Sequence, residues 1–251
     1  IRGDRELFWA PHPLLVACVT AADQCGHTLG RQVHLPNIAV AEVDHKQRSA
    51  VWGDGETFWD IGANIGLYSC YAARRANSKV YSFEPSVFNL ELLAKNIHTN
   101  SLSEKITIIP FPLIDNIKET EFNMSSTEWG GSISTFGEDY KHDGSILEKK
   151  FRYKMVGLSM NDCVNYLKIE QPDYIKIDVD GAEHLILKGG NQILKKTKSL
   201  LVEVDDQFVS QAEKIKKYLT ESGFKLTEKK HSDLIEKSKF KSAFNQIWKK
   251  V

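Results

Sequence analysis

The chain has 251 residues, 41% of them hydrophobic, and its 33 basic residues are balanced by 33 acidic ones. This length and composition predict a globular protein with a substantial core, built as one large domain or as one domain with a small appendage. Because the net charge is zero, the protein as a whole is not steered to a polyanion, and we expect no nucleic acid among its partners.

The spacing of the cysteines and the length of the apolar runs indicate the cellular compartment in which the protein is expected. None of the four cysteines (Cys18, Cys25, Cys70 and Cys163) has a CxxC spacing, which does not suit a disulfide framework and favours a reducing environment. The longest apolar run near the start, PLLVACVTAA, is too short to span a bilayer and lacks the basic flank and cleavage pattern of a signal peptide. We therefore expect a cytoplasmic protein without a transmembrane segment.

The beginning of the sequence has few structural signals. We assign residues 1–55 to an N-terminal segment of uncertain fold, partly helical, with a helix expected over residues 14–22. Residues 56–251 form the second predicted unit, in which the patterns are much clearer.

From Thr57 onward, strand-type runs alternate with helix-type runs. The pairs, in chain order, are TFWDI with the helical pattern that follows it, KVYSFEP with SVFNLELLAKNIHTN, DYIKIDVDG with AEHLILKGGNQILKK, and SLLVEV with QAEKIKKYLTESG. Such alternation with short joins predicts an α/β fold with a mostly parallel sheet covered by helices on both faces. The closing run FNQIWKKV is predicted to be a last, antiparallel strand.

The alternation is interrupted between Glu119 and Val156. The runs ETEFNM and FRYKMV have strand character and are separated by a stretch rich in glycine and serine. This pattern predicts an inserted hairpin or flap lying over one edge of the sheet, with Trp129, Gly130 and Gly131 at a loop tip. Loops inserted on a rigid scaffold commonly carry specificity, so we expect this segment to contribute to binding.

The stretch TFWDIGANIGLYS has the features of a ligand-binding turn between a buried strand and a helix. Gly62 and Gly66 allow a tight turn and a close approach to a ligand, and the helix that follows points its N-terminus at the same space. Asp60 ends this strand and Glu84 ends the next one, close to the interval expected when a carboxylate holds ribose hydroxyls. A nucleoside ligand is indicated, although the GxGxxG pattern of dinucleotide sites is absent.

Three segments together resemble one known family. FWDIGANIGLYS, VYSFEPSVFNLELLAKNIHTN and DYIKIDVDGAEHLILKGG are similar to the FkbM-type family of S-adenosylmethionine-dependent methyltransferases. The resemblance extends from about Thr57 to the C-terminus. It implies a Rossmann-like class I methyltransferase sheet of about seven strands with a reversed last strand, and S-adenosyl-L-methionine as cofactor at the first two strand ends.

The resemblance also implies roles for individual residues. The methionine and ribose part of the cofactor would be lined by Asp60, Gly62, Ala63, Asn64 and Gly66. Glu84 would hold the ribose hydroxyls, Pro85 and Ser86 would shape the adenosine pocket, and Leu113 would lie near adenine. This chain departs from the family pattern at PFPLID, beside the expected adenine contact, and at Asp180, where glutamate is commoner.

Methyl transfer to a hydroxyl needs proton removal, because a hydroxyl is a poor nucleophile. If the run IKIDVD stays extended, Lys176, Asp178 and Asp180 share one face, and Glu203 and Asp205 align on the next strand. Such a cluster could raise the pKa of one carboxyl group, which would make it a base, or bind a divalent metal ion. Asp178, Asp180 and His184 are the predicted catalytic residues, with His184 alternatively a surface residue.

We therefore predict an O-methyltransferase acting on a hydroxyl, with a sugar in a glycan, glycolipid or glycosylated natural product as the expected acceptor. Two alternatives stay open at this point. A nicotinamide-dependent oxidoreductase fits the nucleotide argument but not the glycine spacing. A non-catalytic nucleoside- or glycan-binding module would bind without turnover. The sequence does not identify the acceptor or the oligomeric state.

Overall fold

The computed structural model describes residues 55–230 and 242–251. The helix expected over residues 14–22 lies outside the described residues, so it stays a prediction. The described strands are β1 (Thr57–Ile61), β2 (Lys79–Phe83), β3 (Ile106–Ile109), β4 (Lys118–Met124), β5 (Ser134–Phe136), β6 (Phe151–Gly157), β7 (Tyr174–Ile177), β8 (Ser199–Asp205), β9 (Phe224–Lys230) and β10 (Ala243–Lys250). The described helices are α1 (Leu67–Arg75), α2 (Val87–Thr99), α3 (Met160–Asn165), α4 (Glu183–Lys188), α5 (Asn191–Lys196) and α6 (Val209–Glu221).

Seven strands form the central sheet, in the order β3-β2-β1-β7-β8-β10-β9. The pairs from β3 to β8 are parallel, whereas β10 runs antiparallel to both of its neighbours, β8 and β9. The predicted α/β fold, with a mostly parallel sheet and a reversed last strand, is therefore confirmed.

The order of the strands determines where a ligand can bind. The chain begins the sheet at β1, moves outward through β2 and β3, and then returns to the other side of β1 to form β7. The connections that follow β1 and β7 therefore lead to opposite sides of the sheet, and a crevice opens between them at the carboxyl ends of these two strands. Ligands of open α/β sheets bind at such a switch point.

Apolar residues on both faces of the sheet are buried. In β1, Phe58 and Trp59 point to opposite faces, and both are almost completely buried. Phe58 belongs to a cluster with Leu93 of α2, whereas Trp59 belongs to a cluster with Ile215 of α6. This two-sided burial explains why the strands read as continuous apolar runs. None of the described helices combines the length and apolarity needed to cross a bilayer.

The insertion is a separate three-stranded antiparallel sheet in the order β5-β4-β6. Its apolar side chains, Phe122, Met124 and Phe136, pack with Phe88 of α2 and Leu185 of α4. The predicted hairpin or flap is thus present. Its apolar face contacts these two helices, which follow β2 and β7.

Candidate active site

Gly62 forms the turn at the end of β1, at the switch point of the sheet. Its φ is +77°, and a Cβ at this position would lie 1.9 Å from the carbonyl oxygen of Asp178. Only glycine accommodates both the backbone conformation and the close approach. The N–H groups of Gly62 and Ala63 both donate to the carbonyl oxygen of Phe83 at 3.0 Å. The turn therefore draws the ends of β1, β2 and β7 around one space.

Glu84, directly after β2, presents a buried carboxylate to this space. Its Oε2 accepts the backbone N–H of Asn64 at 2.7 Å, and its Oε1 accepts the backbone N–H of Ser86 at 2.8 Å. Burial raises the pKa of Glu84 to about 7, although these hydrogen bonds favour the charged form. A carboxylate held in this way has acceptor capacity left for the hydroxyl groups of a ligand.

A pocket with an empty volume of about 600 Å³, including its open mouth, lies between this turn and the insertion. The predicted cofactor residues on its wall are Gly62, Asn64, Glu84, Pro85 and Leu113. The rest of the wall includes Phe111 and residues of the insertion, among them Ser132 and Phe136. Apolar and polar groups therefore converge on one cavity.

The other predicted cofactor residues, Asp60, Ala63, Gly66 and Ser86, lie behind the wall. Asp60 is completely buried; its Oδ2 accepts the hydroxyl of Ser69 at 2.6 Å, and its Oδ1 lies 3.3 Å from Nζ of Lys176. Gly66 precedes α1 with a φ of +87°, and Ser86 caps the N-terminus of α2. These contacts indicate that the residues shape the pocket from behind.

Lys176 and Asp178 meet at the end of β7. Lys176 is buried, donates to the carbonyl oxygen of Gly62 at 2.8 Å, and lies 3.3 Å from Oδ2 of Asp178. Burial opposes the charge of Lys176, but Asp178 and Asp60 hold its pKa above the ordinary value. The Asp178 side chain is 38% exposed and lines the pocket. Asp178 is thus a fixed carboxylate that a ligand can reach.

Glu203 lies beside Asp178 because the register of β7 and β8 pairs Ile177 with Val202. Burial, followed by the charges of Asp178 and Asp180, raises the pKa of Glu203 well above its ordinary value. Burial and the neighbouring negative charges therefore favour the protonated form of Glu203.

Asp180 corrects the prediction that the run IKIDVD stays extended. Strand β7 ends at Ile177, and Asp180 has a φ of +58°, in the left-handed region. Its Oδ2 accepts the N–H groups of Ile133 at 2.9 Å and of Ser134 at 3.2 Å. Burial and the nearby charge of Asp178 raise the pKa of Asp180 to about 6. Asp180 therefore lines the pocket, but its carboxylate is engaged by the insertion.

His184 is placed away from the pocket, on α4. It is buried, with charged neighbours that include Lys214, Asp115 and Lys188. Burial, followed by the charge of Lys214, lowers the pKa of His184 to about 4. Its neighbour Glu183 accepts the N–H groups of Val179 and Gly181 and so fixes the turn after β7. We therefore do not propose His184 as the base.

Asn89 is a wall residue that the sequence analysis did not identify. It is 4% exposed, its Oδ1 accepts the N–H of Gly130 at 3.0 Å, and its Nδ2 donates to the carbonyl oxygen of Gly131 at 3.1 Å. It lies on the buried face of α2 with Leu92, Leu93 and Asn96. An amide on an otherwise largely apolar buried face needs a specific partner, and this signal could have identified it.

The predicted acidic cluster does not assemble into a metal site. Asp205 is directed elsewhere, since its Oδ2 accepts the hydroxyl of Ser242 at 3.0 Å and its Oδ1 accepts the N–H of Gln207. Within residues 55–230 and 242–251, no group of three or more His, Cys, Asp or Glu side chains is placed to hold a metal ion. We therefore derive no chemical step through a metal.

Comparisons with known proteins agree with this geometry. The family described as "Methyltransferase FkbM domain" matches residues 60–226. The chain is 27% identical to "Hexuronic acid methyltransferase AglP" of Haloferax volcanii over 155 residues, which are 60% of this chain and 56% of that protein. This chain thus spans little more than half the length of that curated relative.

The fold is also similar to that of a solved structure, "Methyltransferase FkbM" from Methylobacillus flagellatus KT. The TM-score is 0.56 at 15% sequence identity, and the alignment covers 79% of this chain and 44% of that one. At this identity the likeness shows a shared fold only.

Proposed function

The chain belongs to the FkbM methyltransferase family, and from that premise we propose that it transfers the methyl group of S-adenosyl-L-methionine to a hydroxyl group of a sugar. The sugar would be part of a glycan, a glycolipid or a glycosylated natural product. The similarity to a hexuronic acid methyltransferase supports a sugar-related acceptor.

Glu84 is the observation that carries the cofactor assignment. Its buried carboxylate lies on the pocket wall one strand away from the Gly62 turn, where it would accept hydrogen bonds from both hydroxyls of a ribose. Gly62 and Asn64 would contact the methionine part, and Phe111 and Leu113 would pack against adenine. When bound, the cofactor supplies a methyl group activated by a sulfonium charge.

Asp178 is the residue we propose as the base. It lines the same pocket, and the buried ammonium of Lys176 holds its carboxylate in place at 3.3 Å. The acceptor hydroxyl would donate its proton to this carboxylate as the methyl group is transferred. Ser132 and Ser134 of the insertion line the same pocket and would orient the acceptor.

Two measurements test this function. Calorimetric titration should show S-adenosylhomocysteine binding to the protein and no comparable binding of NAD. Radiolabelled methyl transfer to a panel of neutral glycosides, uronic acid glycosides and non-sugar alcohols should then identify the acceptor class. Binding of NAD but not of S-adenosylhomocysteine would refute the proposed cofactor, and transfer only to non-sugar hydroxyls would refute the proposed acceptor.

A further inference from the structure

The loop that connects β4 to β5, residues 125–133, is here called the flap loop. Two amide side chains from the cofactor side of the pocket hold it at Gly130 and Gly131. Asn89 accepts the N–H of Gly130 at 3.0 Å and donates to the carbonyl oxygen of Gly131 at 3.1 Å. The side chain of Asn64 donates to the same carbonyl oxygen at 3.4 Å.

The same two asparagines also contact Glu84. The backbone N–H of Asn64 donates to Oε2 at 2.7 Å, and Nδ2 of Asn89 lies 3.5 Å from Oε1. Each carboxylate oxygen of Glu84 therefore has a neighbour that also holds the flap loop. Nδ2 of Asn89 is shared between Glu84 and Gly131, and its contact with Glu84 is long for a hydrogen bond.

The end of the flap loop is attached to the proposed catalytic side of the pocket. Ile133 has a φ of +64°, a rare conformation for a β-branched residue. Its N–H and that of Ser134 both donate to the carboxylate of Asp180, two residues from Asp178. The short stretch from Gly130 to Ser134 thus connects the surroundings of Glu84 to the surroundings of Asp178.

We propose that Asn89, assisted by Asn64, is a positioning residue that couples ligand binding at Glu84 to the flap loop and so to the acceptor wall beside Asp178. This inference rests on the proposed function in one respect, which is that Glu84 holds the ribose of the cofactor. The amide nitrogen of Asn89 has two N–H bonds, one toward Glu84 and one toward Gly131, so hydroxyl donors that fix Glu84 also fix the orientation of Asn89 at the flap loop. The flap loop is ordered as a result, and the cofactor binds before the acceptor.

Hydrogen exchange of the flap loop with and without S-adenosylhomocysteine tests the coupling without any acceptor. Each protein is first titrated by calorimetry, so that every exchange experiment is run at the same fractional saturation. In the wild-type protein, exchange over residues 125–134 should slow by about fivefold or more on saturation, because the loop loses opening motions. In Asn89→Ala this slowing should fall below about twofold.

Tyr153→Phe is the matched control. The Tyr153 hydroxyl ties the insertion to the same region by donating to the carbonyl oxygen of Pro85 at 3.0 Å, but it does not touch Gly130 or Gly131. This variant should keep the wild-type slowing. Equal loss in Tyr153→Phe and Asn89→Ala would show that general docking of the insertion is responsible, and would overturn the coupling.

Asn64→Gly tests the coupling if Asn89→Ala fails to fold. Glycine tolerates the φ of +49° at this position and retains the backbone N–H that binds Glu84, while the side-chain contact to Gly131 is lost. Any loss of cofactor affinity is compensated by the matched saturation. The slowing should be reduced, and full slowing in this variant or in Asn89→Ala refutes the coupling. If the wild-type protein binds S-adenosylhomocysteine without any slowing of exchange, the coupling is refuted but the proposed function is not. If the wild-type protein does not bind S-adenosylhomocysteine, the proposed function itself is refuted.

Discussion

Replacing Glu84 with glutamine should weaken cofactor binding and reduce its dependence on pH. The substitution keeps the shape but removes the charge that would accept two ribose hydroxyls. It also places an amide N–H₂ among the donors of Asn64 and Ser86, which now point at Glu84 from 2.7 and 2.8 Å. Loss of charged hydrogen bonds of this kind costs about 1–3 kcal/mol of binding free energy.

The pH dependence follows from the raised pKa of Glu84, which is about 7 in the free protein. Ligand hydroxyls favour the ionised form, so binding must release the proton that Glu84 carries below that pH. If the bound form is fully ionised, affinity should rise about 25-fold between about pH 5.5 and 7.5, with about half a proton released at pH 7. The burial of Glu84 also makes the stability of the ligand-free protein depend on pH. The free energy of unfolding should be highest below about pH 4.5 and should fall as the pH rises through 7, because the buried carboxyl group then ionises.

Calorimetric titration with S-adenosylhomocysteine measures both effects. Running it in two buffers of different ionisation enthalpy counts the protons released on binding. Two other nearby carboxyl groups also have raised pKa values, about 6 for Asp180 and about 7 for Glu183. The informative quantity is therefore the difference between wild type and Glu84→Gln. Identical pH profiles, or equal affinity at pH 7.5, would refute the ribose assignment.

Three further predictions concern the base, the acceptor wall and the Gly62 turn. Asp178→Asn should lower turnover by about a hundredfold or more with little change in S-adenosylhomocysteine affinity, whereas the exposed control Asp206→Asn should keep the wild-type turnover. A wild-type rate in Asp178→Asn would exclude Asp178 as the base. Hydrogen exchange over residues 119–156 should slow when a verified acceptor is added to the cofactor complex, and slowing confined to other regions would exclude the insertion from the acceptor site. Gly62→Ala should lower the free energy of unfolding by about 3 kcal/mol or more. The control Gly55→Ala should lower it by about 1 kcal/mol, because Gly55 also has a positive φ, +75°, but has open space around it. Similar melting temperatures for the two variants would contradict the close approach at Gly62.

Local patterns in the sequence were sufficient to predict the sheet and half of the pocket. Gly62 and Glu84 could be assigned because each lies directly after a strand, and parallel strands bring their carboxyl ends to one edge. Two of the three strands of the insertion, β4 and β6, were also predicted from local patterns, whereas β5 lies in the glycine- and serine-containing stretch between them, to which no strand was assigned.

The partners of the buried charges could not be predicted in this way. Asp60 was predicted to end its strand as Glu84 does, but it lies inside β1, paired with Ser82. Its carboxylate is contacted behind the wall by Ser69 and by Lys176, which is 116 residues later. Asp180 was expected to continue a strand, but its left-handed backbone turns it toward Ile133 and Ser134. These pairings join distant parts of the chain, and no spacing rule encodes them.

The reversed strand β10 makes completion of the sheet depend on a late part of the chain. Among the strands that the structure describes, β9 pairs only with β10, which lies between it and β8. During synthesis, β9 therefore emerges before the strand that must hold it, and β8 waits with one edge unpaired. A truncation just before Ala243 would remove two strands from the sheet rather than one, and it would uncover the side of β8 that Ile247 and Trp248 now protect.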